Sequence, residues 1–175
     1  MLLPLVAGLT VVTLLGAGAG AGAQPRWRAP SDPLIRAVAA GLVPETHESL
    51  QHHVHSHLDV YVDGVHQTVP AGIGIQIDDP GVKNGVVNGS PAYGGIRECA
   101  QPCISPLHTH DVSGVLHTES AKNIDNTLGQ FFTEWGVPLS AKCVGDYCAP
   151  KTKIAVYVGG ARDRKSTRLN SSHSS

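Results

Sequence analysis

Histidine is the residue type through which this sequence could do chemistry. There are ten, and all but His173 fall between His47 and His117. The densest block, residues 107–119, reads LHTHDVSGVLHTE. Its DVSG stretch at 111–114 suits a four-residue hairpin loop, which would pair His110 with Val115, Thr109 with Leu116 and His108 with His117. Directly opposed residues on one face of a sheet have Cβ atoms roughly 4.5–5.5 Å apart. His108, His110 and His117 are therefore expected to converge on one face, with Glu119 one step further along it. A slip of one residue would scatter the set. Three imidazoles and a carboxylate from adjacent strands suit a divalent transition metal, because neutral imidazole donates well to borderline ions such as Zn(II) and Cu(II). Asp111 is either a further ligand or the cap of its own turn.

A second histidine row lies upstream. From residue 54 the period is two: Val54, Leu58, Val60 and Val62 alternate with His53, His55, His57, Asp59 and Tyr61. Asp63-Gly64 is a two-residue hairpin turn, since a type I′ loop needs positive φ at both central positions. Pairing across it sets Val62 opposite Val65 and Tyr61 opposite His66. One face then carries Val54, Leu58, Val60, Val62, Val65 and Val69 as the core side. The other carries His53, His55, His57, Asp59, Tyr61, His66 and Thr68. Alternate residues are roughly 6.6 Å apart, so two neighbours of the row can share one ion while three would be strained. The expected site combines His55 and His57 with His108, His110 or His117, and His53, His66, Glu119 and Asp111 are the additional candidates. The competing reading leaves the upstream histidines solvated on a face that needs no apolar cover.

The helices and strands expected around these histidines are short. Asp32-Pro33 offers an N-cap and a proline at the first helical position, with Leu34, Val38 and Leu42 at helical spacing and Gly41 as the stop. Thr127 and Gln130 resemble a capping box opening a second helix, with Phe131, Phe132 and Trp135 buried and Gly136 ending it. Ile73, Ile75 and Ile77 suggest a further strand, residues 78–97 a Gly/Asn/Pro-rich loop, and residues 153–158 a last strand. Val156-Tyr-Val-Gly-Gly160 echoes Val60-Tyr-Val-Asp-Gly64 and so predicts a second hairpin whose return strand is missing. The fold class is mainly β, a small β-sandwich or partly open barrel of antiparallel hairpins with two short α-helices.

Residues 2–23 carry no charge and read as an export signal, cleaved after Ala23, or as an uncleaved N-terminal anchor. Residues 163–175 are polar, and KSTRLNSSH within them looks like translated sequencing-adapter read-through; the natural chain is then expected to continue past Arg162, and His173 is no ligand. Residues 24–162 remain as a single domain. With 15% charged residues, 20 Gly and 12 Pro, a long helical bundle or coiled coil is excluded. The formal net charge is −1 and no basic stripe exists, so nucleic acid is not an expected partner, and a membrane is one only through the N-terminal segment. The four cysteines, Cys99, Cys103, Cys143 and Cys148, favour two disulfides in an exported chain, with Cys99–Cys103 and Cys143–Cys148 the preferred pairing. A zinc site of all four thiolates is the alternative, on spacings looser than those of ribbon knuckles.

Four stretches together carry a resemblance: HSHLDVYVDG at 55–64, VPAGIGI at 69–75, SPLHTHD at 105–111 with Gly114 and His117, and TLGQFFTEWG at 127–136. They resemble a family of secreted or membrane-anchored bacterial and archaeal histidine-rich proteins. The resemblance implies an extracytoplasmic compartment and importance of the histidine motifs, not a reaction, and family members continue past the Val-Tyr-Val-x-Gly strand. His108-Thr-His110 is also similar to the paired histidines of cupins, but Glu119 follows too far behind and no second cupin motif is evident. Three functions are compatible with these residues: an extracytoplasmic copper or zinc module, a metal-dependent enzyme with Glu119 or Asp111 as base, and an interaction domain whose histidines titrate.

Overall fold

The structure is a computed structural model that describes residues 9–15 and 25–163. It is mainly β with two short helices, and its principal sheet curls into a half-barrel, the partly open barrel rather than the sandwich of the sequence expectation. The strands are β1 (Leu9–Leu15), β2 (His52–Val62), β3 (Val65–Gln67), β4 (Lys83–Val87), β5 (Ser90–Gly94), β6 (Leu107–His108), β7 (Val115–Ser120), β8 (Cys143–Val144), β9 (Tyr147–Cys148), β10 (Lys153–Val158) and β11 (Ala161–Arg162). The helices are α1 (Pro33–Ala39) and α2 (Leu128–Trp135). The principal sheet runs β11-β10-β1-β2-β7-β6, with β3 paired to β2; β4-β5 and β8-β9 are separate two-stranded sheets.

Strand β2 organises the molecule. Asp63 and Gly64 both have positive φ, and across them Val62 pairs with Val65 and Tyr61 with His66, as the turn chemistry requires. Ser56, Leu58, Val60 and Val62 are buried, while the residues between them are more open. Leu58, Val60 and Val62 join Leu107 and Leu116 from the neighbouring strands in one core with Leu128, Phe131, Phe132 and Trp135 of α2. Each large side chain in that core contributes about 1.5–3 kcal/mol of burial. Helix α2 begins with the expected capping box, the Thr127 hydroxyl accepting from Gln130 N and the Gln130 side chain accepting from Thr127 N, and ends on left-handed Gly136. With the helical side occupied by apolar residues, the opposite face of β2, β7 and β6 is left to the imidazoles.

Several expectations fail for identifiable reasons. Ile73, Ile75 and Ile77 form turns and an isolated bridge rather than a strand, because Gly72 and Gly74, on either side of Ile73, adopt positive φ. Residues 78–97 are not all loop: β4 and β5 pair through Asn88-Gly89, both with positive φ, a hairpin whose arms lack apolar alternation. Val65 is exposed, since β3 runs past the edge of the core. On α1 the buried residues are Pro33 and Ala37 rather than the Leu34/Val38 stripe, and the Asp32 carboxylate pairs with Arg36 Nε at 2.7 Å instead of capping the helix. The echo at 156–160 is a real hairpin, but its return strand is not missing: β11 supplies it in two residues, Ala161 pairing with Val158 and Arg162 with Tyr157.

The apolar stretch read as a leader or anchor contributes Leu9–Leu15 as β1, parallel to β2 and antiparallel to β10. An uncharged run suits an interior strand as well as it suits a leader, and hydropathy does not separate the two. The rest of residues 1–24, and the polar tail from residue 164, lie outside the described residues. No helix among the described residues is long and apolar enough to cross a membrane. Deleting residues 1–23 is expected to uncover the facing edges of β2 and β10 and to lower the unfolding temperature by several degrees, measured by thermal melting of both chains. Identical melts would show that β1 is dispensable.

Candidate metal centre

Three neighbouring strands build the site by register. His55 of β2 pairs with His117 of β7, which pairs on its other side with His108 of β6, giving a row of three imidazoles across the sheet. One step along the same face, His53 pairs with Glu119. The expected His108–His117 pairing is present, but the loop is wider than a four-residue turn. His110 does not pair with Val115; its carbonyl accepts from Tyr93 N of β5, and Val115 pairs with His57. His110 therefore reaches the cluster from the irregular segment after β6.

Main-chain contacts lock that segment. Gly72 N donates to Thr109 O, Thr109 N to Ile73 O, and Ser105 N to Gly74 O. The Thr109 hydroxyl donates to Pro70 O and accepts from Ile73 N. Gly74 must lack a side chain, because a Cβ there would lie 2.5 Å from Leu107 O and 3.1 Å from His108 Cβ. Gly94 similarly leaves room for the His110 ring, whose Nδ1 would stand 3.2 Å from an added Cβ.

The hydrogen bonds fix which ring nitrogens are free. His108 Nδ1 donates to Ser105 O at 2.9 Å and His110 Nδ1 to Tyr93 O at 2.6 Å. A carbonyl only accepts, so in each neutral ring the proton sits on Nδ1 and Nε2 keeps a bare lone pair. Those two Nε2 atoms are 3.2 Å apart. Two lone pairs at that distance repel unless a cation lies between them. Donors around a tetrahedral ion with bonds of about 2.0–2.1 Å are separated by roughly 3.3 Å, which is this spacing. The ligand atoms of His108, His110, His117 and Glu119 all lie within 4.8 Å of one another, as do those of His53, His55 and His117.

Burial keeps the donors in the form a metal needs. His108 is fully buried, and desolvation, reinforced by His110, pushes its pKa down to about 3. Burial also lowers His110, with His117 adding to the effect, and lowers His55, with His117 and His53 adding. For Glu119 burial acts the other way, but the hydrogen bond from His117 Nδ1, at 3.1 Å, and the surrounding imidazoles outweigh it, so its carboxyl stays below the usual range. Glu119 Oε2 is nevertheless buried with no hydrogen-bond partner, an arrangement that costs about 1–3 kcal/mol or more if nothing compensates it.

The remaining candidates are dispersed. His57 turns away, its Nε2 donating to Ser113 O at 2.9 Å and its Nδ1 lying 3.4 Å from Asp59 Oδ2. The partner of His55 is thus His53, not His57, because the carboxylate at position 119 lies opposite residue 53 while residue 57 faces Val115. His66 is exposed beside Asp59 and fits the solvated reading. Asp111 caps its own turn, accepting from Ser113 N at 2.9 Å, and Ser113 is the main reason its pKa is low. Cys99–Cys103 and Cys143–Cys148 are disulfides, which excludes the four-thiolate zinc site and leaves Asp79, beside Cys99 and Cys103, without a thiolate companion.

Two acidic residues at the site escape sequence reasoning. Glu48 Oε1, buried and without a hydrogen-bond partner, lies 3.8 Å from His110 Nε2. Nothing in its local sequence marks it. Glu134 sits beneath the site on α2, and burial pushes its pKa up to about 8, an effect the nearby Ser105 hydroxyl only partly offsets. Its spacing from Phe131 put it on the buried face, so that signal was readable. Beside the cluster opens a cavity of about 380 Å³ whose walls include Glu48, Lys83, Tyr93, Gly94, His110 and Asp111. The molecule is thus a half-barrel β domain with histidine and carboxylate groups that could hold a metal ion. Comparison with protein-family models, with curated proteins and with solved structures finds no match to the chain.

Proposed function

We propose that the protein is an extracytoplasmic metal-binding module that holds copper or zinc through His108, His110, His117 and Glu119. The observation that carries this reading is the 3.2 Å approach of two Nε2 atoms whose rings have already committed their protons to carbonyls. The donor set is nitrogen and oxygen, with the cysteines oxidised, which favours Zn(II) or Cu(II) over Cu(I). The two disulfides support an oxidising compartment, in line with the resemblance to secreted and anchored histidine-rich proteins.

Metal analysis of protein purified without a histidine tag, loaded with zinc or copper at neutral pH and then desalted, is expected to find stoichiometric metal. Absence of retained metal would overturn the reading. His57→Ala is expected to leave affinity within about threefold, as suits a surface substitution outside the donor set. A large loss on that change would return the site to the His55/His57 pair.

The cavity beside His110 favours a second reading, a metal-dependent enzyme in which a coordination position opens toward that space and Glu48 or Glu119 handles a proton. A bound ion with three protein ligands and an exchangeable water, seen by relaxation of solvent protons around a paramagnetic substitute, would support it. A closed set of four protein ligands supports the binding module.

A further inference from the structure

We propose that the centre is dinuclear, with the Glu119 carboxylate bridging an inner ion on His108 and His110 and an outer ion on His53 and His55. The inference rests on the metal-binding reading above and extends it.

The two oxygens of Glu119 face different imidazole sets. Oε2 is 3.8 Å from His108 Nε2, whereas Oε1 is 3.2 Å from His53 Nε2 and 3.1 Å from His117 Nδ1. On the outer side His53 Nε2 and His55 Nε2 are 2.7 Å apart, a hydrogen bond in which one ring donates to the other, so an ion there would replace the shared proton and part the rings by about half an ångström. His117 stands at the junction: its ring centroid is 4.4 Å from both His55 and His110, and its plane stacks on His108 at 5.4 Å. Five imidazoles and a carboxylate exceed the four ligands a single zinc or copper ion takes in a closed tetrahedral site. They also fall into two groups that share His117, and Glu119 of the first group reaches the second through its 3.2 Å approach to His53. Bridged pairs of ions stand about 3.5–4 Å apart, a separation that the two oxygens of one carboxylate span.

Burial distinguishes the two positions. His108 and Glu119 are buried, while His53 and His55 are exposed. The inner ion is therefore retained and the outer one exchanges with solvent. A module of this kind would pass on the outer ion while the inner ion ties β6 and the segment after it to β7.

The test uses the untagged full chain, stripped with a chelator and reloaded with Zn(II) for stoichiometry or Cu(II) for electron paramagnetic resonance. Wild type is expected to take two ions per chain, the second at least about tenfold more weakly, and its doubly copper-loaded form to show a spin-coupled spectrum. His53→Gln with His55→Gln is expected to remove the weaker ion alone. Glu119→Gln, which cannot bridge as an anion, is expected to abolish the coupling. Thermal melting of each variant checks that it folds; should the His53/His55 pair fail that check, the coupled spectrum of wild type decides. One ion in wild type, unaffected by the His53/His55 changes, overturns the dinuclear centre and leaves the proposed function standing. Two uncoupled ions, or a second ion that survives those changes, also overturn it. No ion at all overturns both.

Discussion

Replacing His108 and His110 together by alanine is expected to reduce zinc or copper affinity at neutral pH by at least about a thousandfold. Loss of one hydrogen bond behind a ligand already costs 10–100-fold in comparable sites, and here two ligands go at once. The two are not equivalent. His108 is fully buried between β7 and the 72–74 segment, so its alanine variant also leaves a void and an unpaired Ser105 carbonyl. That variant should lose about 1–3 kcal/mol of metal-free stability. His110 stands at the cavity wall, and its replacement should cost affinity with little loss of metal-free stability. Competition against a chromophoric chelator, combined with urea unfolding in the presence of excess chelator, separates the two effects. Affinity within tenfold of wild type for the double variant would show that metal binds elsewhere.

Glu134→Gln is expected to stabilise the metal-free protein at neutral and mildly alkaline pH. The folded-state pKa of Glu134 is about 8 against an ordinary 4.5, so between those values the native chain holds a proton that the unfolded chain has released. The native state then binds more protons than the unfolded state, and stability falls as pH rises through that window, by at most about 1.4 kcal/mol per pH unit. Below pH 4.5 the penalty vanishes; above about 8 it is complete. Glutamine has nearly the shape of the protonated acid and no proton to lose. The variant should gain on the order of 1–3 kcal/mol near pH 8 and nothing at pH 4, read as a flatter plot of unfolding free energy against pH. Equal slopes for variant and wild type would mean that the carboxyl is solvated or paired in solution.

Much of the site was legible because strands obey a strict period. The Asp63-Gly64 turn fixed the face of His53, His55 and His57, and the His108–His117 pairing followed from counting across residues 111–114. The same count misplaced His110, because the chain leaves the ladder after His108 to bond with Ile73 and Tyr93, residues distant in sequence. It also named His57 where His53 belongs, since nothing local specifies that β7 lies with Glu119 opposite residue 53. The β4–β5 hairpin is announced only by its Asn88-Gly89 turn, because the exposed β4 arm carries no apolar alternation.

What depends on neighbours along the chain is readable without coordinates: the type I′ turn, the capped helix α2 and the alternation that keeps imidazoles off the apolar core. These are settled by φ preferences, short-range hydrogen bonds and side-chain period, all of which act within a few residues. The rest exists only in the folded chain: β1 between β2 and β10, the choice among the possible disulfide pairings, Glu48 brought against His110, Glu134 buried on α2, and six donor side chains drawn from three strands and a loop. Those depend on which strand edges meet, and that choice is made by burial summed over the whole core.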